Sequence, residues 1–409
     1  MASIVVNGDT SGAVTLSAPA VAGTVTVTLP TTTGTMLTTA SSTGISGSAI
    51  SSGTVPEAYG GTGTSTGYYG FKNRIINGAM VIDQRNGGAS INPTDGQGTV
   101  DQWRAARSQA SKLTVQQNAG AVTPPVGFSN YLGVTSSSAY TVLAADYFFL
   151  FTKIEGFNFA DMAWGTANAQ TVTISFWVYS SLTGTFGGSV LNSAQNRSYP
   201  FTYTINAANT WEKETITIAG DTSGTWIGAT NGTGLQLYFG LGVGSTGSGT
   251  AGAWAAAGYQ SATGATSVVG TNGATFFITG VQLEKGSTAT AFDYRPFGTE
   301  LVLCQRYFYK ANGAGNNGPL GFGYYTATTE AAIGVPFPIV MRSIPTFTSS
   351  AANTFLIQDS ANRTPTAITM QVGSVSYASI IFTLTGATAG NGTKVLDNGV
   401  ANLAFASEL

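Results

Sequence analysis

Three carboxylates crowd one stretch of this 409-residue chain, Asp146, Glu155 and Asp161. Glycoside hydrolysis needs two carboxylates about 5–9 Å apart across a sugar cleft, and spacing along the chain alone does not test that. The same groups have a structural reading, in which Glu155, beside Gly156, accepts from turn amides or pairs with Lys153. No motif lifts catalysis above it. The chain has no histidine, and therefore lacks both the commonest general base and the commonest metal ligand. Its one cysteine, Cys304, permits neither an internal disulfide nor a cysteine-built zinc cluster. No metal and no cofactor is expected, and no catalytic residue. Gly242, Gly244 and Gly247 match the dinucleotide fingerprint after an apparent strand at 235–239. That site needs a helix directly after the glycines and an acid about 20 residues on. Here Ser248, Gly249, Thr250 and Gly252 continue the loop and the next acid is Glu284, so the stretch reads as a Gly-rich loop.

Aromatic side chains offer different chemistry. Trp254 and Tyr259 lie in a Gly/Ala/Ser/Thr-rich loop spanning 241–273, and Trp164, Tyr324 and Tyr325 keep similar company. An exposed ring stacks on the C–H face of a sugar while neighbouring amides and hydroxyls hydrogen-bond it, which makes these five residues carbohydrate-binding candidates. The competing reading is that the rings pin the loop to its scaffold or fill a subunit interface.

Composition limits the scaffold. Charged residues make up 8% of the chain, against roughly 25% in an average soluble protein. Aromatics at 11% and hydrophobics at 43% are enough to offset chain entropy, so most of the chain is expected to fold. The net charge is −2 with no run of Lys or Arg, which excludes an electrostatic footprint for nucleic acid or an anionic membrane. No apolar run reaches the ~18 residues of a spanning helix, and the first residues lack the basic and apolar regions of a signal peptide. Synthesis in a cytoplasm without membrane insertion is the expectation.

The elements that would position the rings are strands. Residues 1–58 contain no aromatic side chain, yet Val14, Leu16, Val25, Val27 and Leu29 alternate with small polar residues at period two. Such strands cannot build a core alone and are expected to be covered by other copies in an intertwined oligomer; a disordered tail is the alternative. Residues 40–67 read as a Gly-rich connector. Many short β-forming runs between turn residues follow, among them 171–178, 198–205, 214–218, 235–239 and 275–283, which suggests a sandwich or jelly roll over 68–298. Val172, Ile174, Phe176 and Val178 mark one face of a strand for a core, while Trp177 and Tyr179 add a second apolar face that suits a neighbour. Past Pro296 a smaller β-sandwich is expected over 299–409, with Pro336, Pro338 and Pro345 in edge strands or turns. No helix longer than two turns is expected. The fold class is therefore all-β: an extended, intertwined N-terminal segment, a jelly roll and a smaller C-terminal β-sandwich.

Several segments resemble one family in the right order. Residues 13–38, the Tyr59-Gly-Gly-Thr-Gly-Thr-Ser connector, the segment 73–85 and Asp101-Gln-Trp103 are similar to parts of bacteriophage tail fibre proteins. Ile154-Glu-Gly, Trp164-Gly-Thr-Ala, residues 172–178, Trp211-Glu-Lys, residues 277–286 and Phe292-Asp-Tyr-Arg resemble the strands of that family's carbohydrate-binding-module-like jelly roll. Residues 303–308 and 340–346 resemble the C-terminal domain that often follows. The resemblance implies a homotrimer in the virion, with residues 1–67 attached to phage tail or baseplate proteins and the distal domains meeting host surface polysaccharide. A purely structural or capsid-attached fibre and a depolymerase that cuts polysaccharide are the alternatives.

Overall fold

The computed structural model describes residues 3–7, 13–17, 71–312 and 318–409. It separates into two units, 1–53 and 54–409. In the first, β1 (Ser3–Asn7) pairs antiparallel with β2 (Ala13–Ser17), placing Val14 opposite Val6 and Leu16 opposite Ile4. The expected strand residues Val25, Val27 and Leu29 and the connector at 40–67 lie outside the described residues.

The second unit opens with a jelly-roll sandwich. Its strands are β3 (Gln97–Gly98), β4 (Trp103–Arg107), β5 (Leu113–Gln117), β6 (Leu132–Ser136), β7 (Tyr147–Glu155), β8 (Val172–Ser180) and β9 (Gly184–Leu191). They continue with β10 (Ser198–Ile205), β11 (Glu212–Ile218), β12 (Thr233–Val243), β13 (Ser248–Gly249), β14 (Ser261–Ala262) and β15 (Thr275–Lys285). One sheet has the order β10-β9-β12-β7-β4-β3, the other β11-β8-β15-β6-β5. Period-two alternation puts Val172, Ile174, Phe176 and Val178 of β8 in the core against Leu235, Leu237 and Phe239 of β12 and Phe148 and Leu150 of β7. The second apolar face of β8 meets its own chain: Tyr179 stacks on Phe277 at 5.2 Å and packs on Trp211 at 5.4 Å. Outside the six-stranded sheet, Phe149, Phe151 and Tyr238 form a comparable small cluster.

A helix, α1 (Phe297–Gln305), follows. Its nine residues make two and a half turns, longer than the sequence supports, because Leu301, Val302 and Leu303 are consecutive and trace no 3.6-residue stripe. Pro296 stands just before its first residue, where proline's fixed φ and missing N–H cost nothing.

The remaining strands are β16 (Phe308–Asn312), β17 (Pro319–Ala327), β18 (Glu330–Pro336), β19 (Thr346–Ser349), β20 (Phe355–Gln358), β21 (Asn362–Arg363), β22 (Ala367–Gly373), β23 (Tyr377–Thr383), β24 (Gly392–Asp397) and β25 (Asn402–Ala406). A three-stranded sheet, β16-β25-β19, and a seven-stranded sheet, β21-β20-β24-β17-β18-β23-β22, share a second core that includes Tyr325, Ile333, Phe355, Phe382 and Phe405. Pro336 ends an interior strand rather than an edge strand, and Pro338 and Pro345 lie in the following loop, so no ladder donor is missed within a strand. No helix among the described residues is long and apolar enough to cross a membrane.

Candidate functional site

The three carboxylates are each engaged elsewhere. Glu155, at the end of β7, is buried and takes both Nε (2.8 Å) and Nη2 (2.6 Å) of Arg306 as well as the hydroxyl of Tyr307. Neither turn amides nor Lys153 is its partner. Asp161 pairs with Arg74 at 2.8 Å on the surface. Asp146 closes a turn, accepting from the Leu143 amide (2.9 Å), the Tyr140 hydroxyl (2.7 Å) and the Ser108 hydroxyl (2.8 Å). The glycine match has a packing cause: a Cβ on Gly244 would run into the Leu143 and Ala144 carbonyls, and turn residues follow instead of a helix.

Trp164 is 5% exposed, donates its indole N–H to the Gln170 carbonyl at 2.7 Å, and sits edge-on to Phe159, Trp226 and Trp254. Tyr325 is 1% exposed, its hydroxyl held by Arg363 at 2.9 Å. Rings buried this way offer no free face to a sugar, which removes both residues from the candidate set on steric grounds. The sequence missed this because their partners come from distant segments. Trp254 is half-buried, donates to the Ala219 carbonyl at 3.0 Å, and packs on Tyr199 and Trp226, so it anchors the 244–273 loop to the sandwich. Arg197 lies 5.8 Å from its ring centroid and is itself bidentate to Asp221. Tyr259, also half-buried, lies over Gly249, where a Cβ would strike the ring. Tyr324 is 56% exposed on the outer face of the seven-stranded sheet beside Phe322. The structure thus clusters Trp164 with Trp254 and leaves Tyr259 and Tyr324 apart.

A cavity of about 160 Å³ offers a better-formed site. At ~30 Å³ per water it has room for roughly five waters, so it suits a single sugar residue better than an extended chain. Phe128, Phe292 and Tyr294 form one wall, their centroids 4.8–5.4 Å apart in edge-on and tilted pairs. Tyr294 is 55% exposed. The opposite side comes from residues 73–81, which run along a bulge in β15. Arg74 N–H donates to the Leu283 carbonyl at 2.9 Å, Val281 N–H to the Gly78 carbonyl at 2.9 Å, and the Asn73 amide side chain to the Val281 carbonyl at 3.0 Å. Within the bulge Gly280 has φ 61°, and a Cβ there would come within 2.6 Å of the Phe128 ring, so the ring's seat depends on this glycine.

The floor is polar. Asp293 accepts from the Asn73 amide at 3.2 Å. Arg295, with only 6% of its side chain exposed, donates from Nη1 to the Ile75 carbonyl (3.2 Å) and Glu300 and from Nη2 to the Asn73 carbonyl. Glu300, in the first turn of α1, also accepts from the Asn77 amide. The Nε of Arg295 is buried without a hydrogen-bond partner; the residue also lines a second cavity of about 210 Å³. A buried donor left unsatisfied costs roughly 1–3 kcal/mol. Sequence reasoning did not single out Phe128, Phe292 and Tyr294 as a site. Phe292-Asp-Tyr-Arg was legible only as a family likeness, and nothing local links it to Phe128.

No protein-family model and no curated protein matches the chain. Among solved structures, the enzymatically active domain of tailspike protein 4 of bacteriophage CBA120 is similar at 11% identity and a TM-score of 0.29, over 53% of this chain. The chain covers 22% of that domain's length. A protein described as CBM4 is similar at 15% identity and TM-score 0.27, over 52% of this chain and 99% of its own. A family 11 carbohydrate-binding module of a cellulosomal cellulase of Clostridium thermocellum is similar at 12% identity and TM-score 0.25, over 49% of this chain and 98% of its own. All three scores are low.

Proposed function

We propose that this chain is a receptor-binding tail fibre protein of a bacteriophage, a virion component that attaches to host surface polysaccharide and cleaves nothing. In this reading residues 1–67 join phage tail or baseplate proteins, 68–298 form the carbohydrate-binding body, 299–409 form a second β-domain, and three copies act together. The family likeness of several motifs in order supports the assignment to a fibre. The observation that carries sugar binding is the ring-walled cavity with Asp293, Arg295 and Glu300 among its lining: rings for the C–H face of one sugar and polar groups for its hydroxyls. Engagement of Glu155 by Arg306 and of Asp161 by Arg74 favours binding over hydrolysis. Three such sites on one fibre raise the avidity for a repetitive polysaccharide well above the affinity of one.

The test is binding of the full chain to host cells and extracted surface glycan, with reducing-end release assayed in the same samples. Tyr294→Ala and Phe128→Ala each remove a stacking ring, worth about 0.5–1.5 kcal/mol, and are expected to weaken binding up to ~10-fold. Unchanged binding in both would move the site elsewhere. Sugar release would make the protein a depolymerase, and absence of any glycan binding would leave a purely structural fibre.

A further inference from the structure

Most arginines of this chain face a carboxylate: Arg74 pairs with Asp161, Arg85 with Glu408, Arg197 with Asp221, Arg295 with Glu300, Arg306 with Glu155 and Arg363 with Asp359. Three cations where the jelly roll meets the C-terminal body do not. Lys153 of β7 is half-buried and makes no hydrogen bond or ion pair among the described residues. Arg104 of β4 donates from Nε to the Gly96 carbonyl (2.8 Å) and from Nη1 to the backbone oxygen of Leu409 (3.2 Å), and its Nη2 has no partner among the described residues. Arg342 donates to the carbonyls of Ser407 (2.6 Å), Glu408 (2.6 Å) and Asn231 (3.1 Å).

The fold gathers these charges from three distant segments. Arg104 sits opposite Phe151 in the ladder and Lys153 lies two residues along the same face of β7, with the two charges 6.0 and 5.9 Å from the Phe151 centroid. Arg342 and Arg104 hold the oxygens of consecutive residues, Glu408 and Leu409, which keeps the two guanidiniums close together. The acids of these segments are taken elsewhere, Glu155 by Arg306 and Glu408 by Arg85. A negative charge at Leu409 would still leave two positive charges unmatched. Burial, then Arg104 and Arg342, hold the Lys153 ammonium down at about 8, and no carboxylate offsets them. Like charges gathered in a half-buried place repel, and an anion among them removes that cost while accepting charge-assisted hydrogen bonds.

We propose that Arg104, Lys153 and Arg342 form an anion site, apart from the ring-walled cavity, that takes a carboxylate or phosphate substituent of the bound glycan. Lys153 Nζ and Arg104 Nη2 donate to the anion, and Arg342, fixed by three carbonyls, adds its charge. That the anion belongs to a glycan rests on the binding reading above; the preference for negative charge rests on the three cations alone.

The experiment measures binding of the full chain to polygalacturonate, to its carboxyl-reduced neutral form and to poly(glycerol phosphate), by biolayer interferometry at physiological salt. Expected is binding of an anionic polymer about tenfold or more tighter than of the neutral one. The tighter of the two anionic polymers identifies the substituent as carboxylate or phosphate. Lys153 has no partner to lose, so Lys153→Gln is expected to keep its circular dichroism and lose the preference. Lys153→Arg should keep it, and keep it above pH 8, where the wild-type ammonium loses its proton and the preference fades. Equal binding of charged and neutral polymers, a preference retained in Lys153→Gln, or binding of none of the three would overturn the proposal. So would an equal loss in Lys213→Gln, an exposed lysine on β11, because that marks unspecific attraction to a polyanion. Tyr294→Ala reads the other site: weaker neutral binding with no charge preference sinks the anion site alone, and a charge preference untouched by Tyr294→Ala upholds it while moving sugar binding off the ring-walled cavity.

Discussion

Two buried aspartates show how much one side chain's surroundings decide. Asp146 is held down to about 2, first by the Tyr140 hydroxyl bond, then by the Leu143 amide, Ser108 and Gln109 against the cost of burial. Its folded pKa lies below the unfolded value, so its stabilisation is present above about pH 4 and is lost as pH falls toward 2. Asp101 runs the other way: burial raises it to about 6 despite its bonds to Gln84. Its folded pKa lies above the unfolded value, so its favourable contribution is present at about pH 4 and is lost as pH rises through 6. Asp146→Asn is therefore expected to lower stability at pH 7 by about 1–2 kcal/mol and to flatten the decline below pH 4. Urea unfolding at pH 7, 4 and 3 reads both effects. Residue types along the chain identified Asp146 as a carboxylate near others. They carried no record of Tyr140 and Ser108 closing on it.

Strands were the most legible elements, because alternation at period two is written locally. Val172, Ile174, Phe176 and Val178 of β8 lie in the core as their spacing requires. The helix α1 was not legible, since its apolar residues are clustered rather than periodic. The bulge in β15 was also hidden, because Gly280 in a run of β-formers gives no sign that Phe128 needs its missing Cβ. Gly280→Ala combines a left-handed φ with that clash and is expected to cost ~1–3 kcal/mol. It should also weaken glycan binding as Phe128→Ala does, because the displaced ring is a wall of the cavity. Thermal melting and glycan titration of the same variant separate the two effects.

The jelly roll and the C-terminal body are tied by polar contacts that bridge their separate cores. Arg306 and Tyr307, directly after α1, close on Glu155 of β7. Arg342 donates to the Asn231 carbonyl at 3.1 Å and accepts from its side chain at 3.0 Å, and Arg85 lies 3.6 Å over the Phe308 ring. Glu155→Ala takes the shared acceptor from the part-exposed Arg306 and from the hydroxyl of the buried Tyr307, and is expected to cost ~1–3 kcal/mol. Calorimetry should show one cooperative transition in the wild type and two in the variant, the C-terminal body melting first. A single unchanged transition would mean that the other contacts alone couple the bodies.

The sequence by itself determined the all-β class, the run of short strands and the absence of a basic nucleic-acid footprint, because composition, charge and alternation are local properties. Only the tertiary structure decided which carboxylates are paired, which rings are buried and where a cavity forms. Glu155 and Arg306 are 151 residues apart, and Asn73 and Asp293 are 220 apart. Contacts at such separations are set by how two sheets stack and where a bulge turns a side chain. No local pattern encodes that, so Trp164 and Tyr325 read as candidates while the Phe128, Phe292 and Tyr294 wall stayed hidden until the chain was folded.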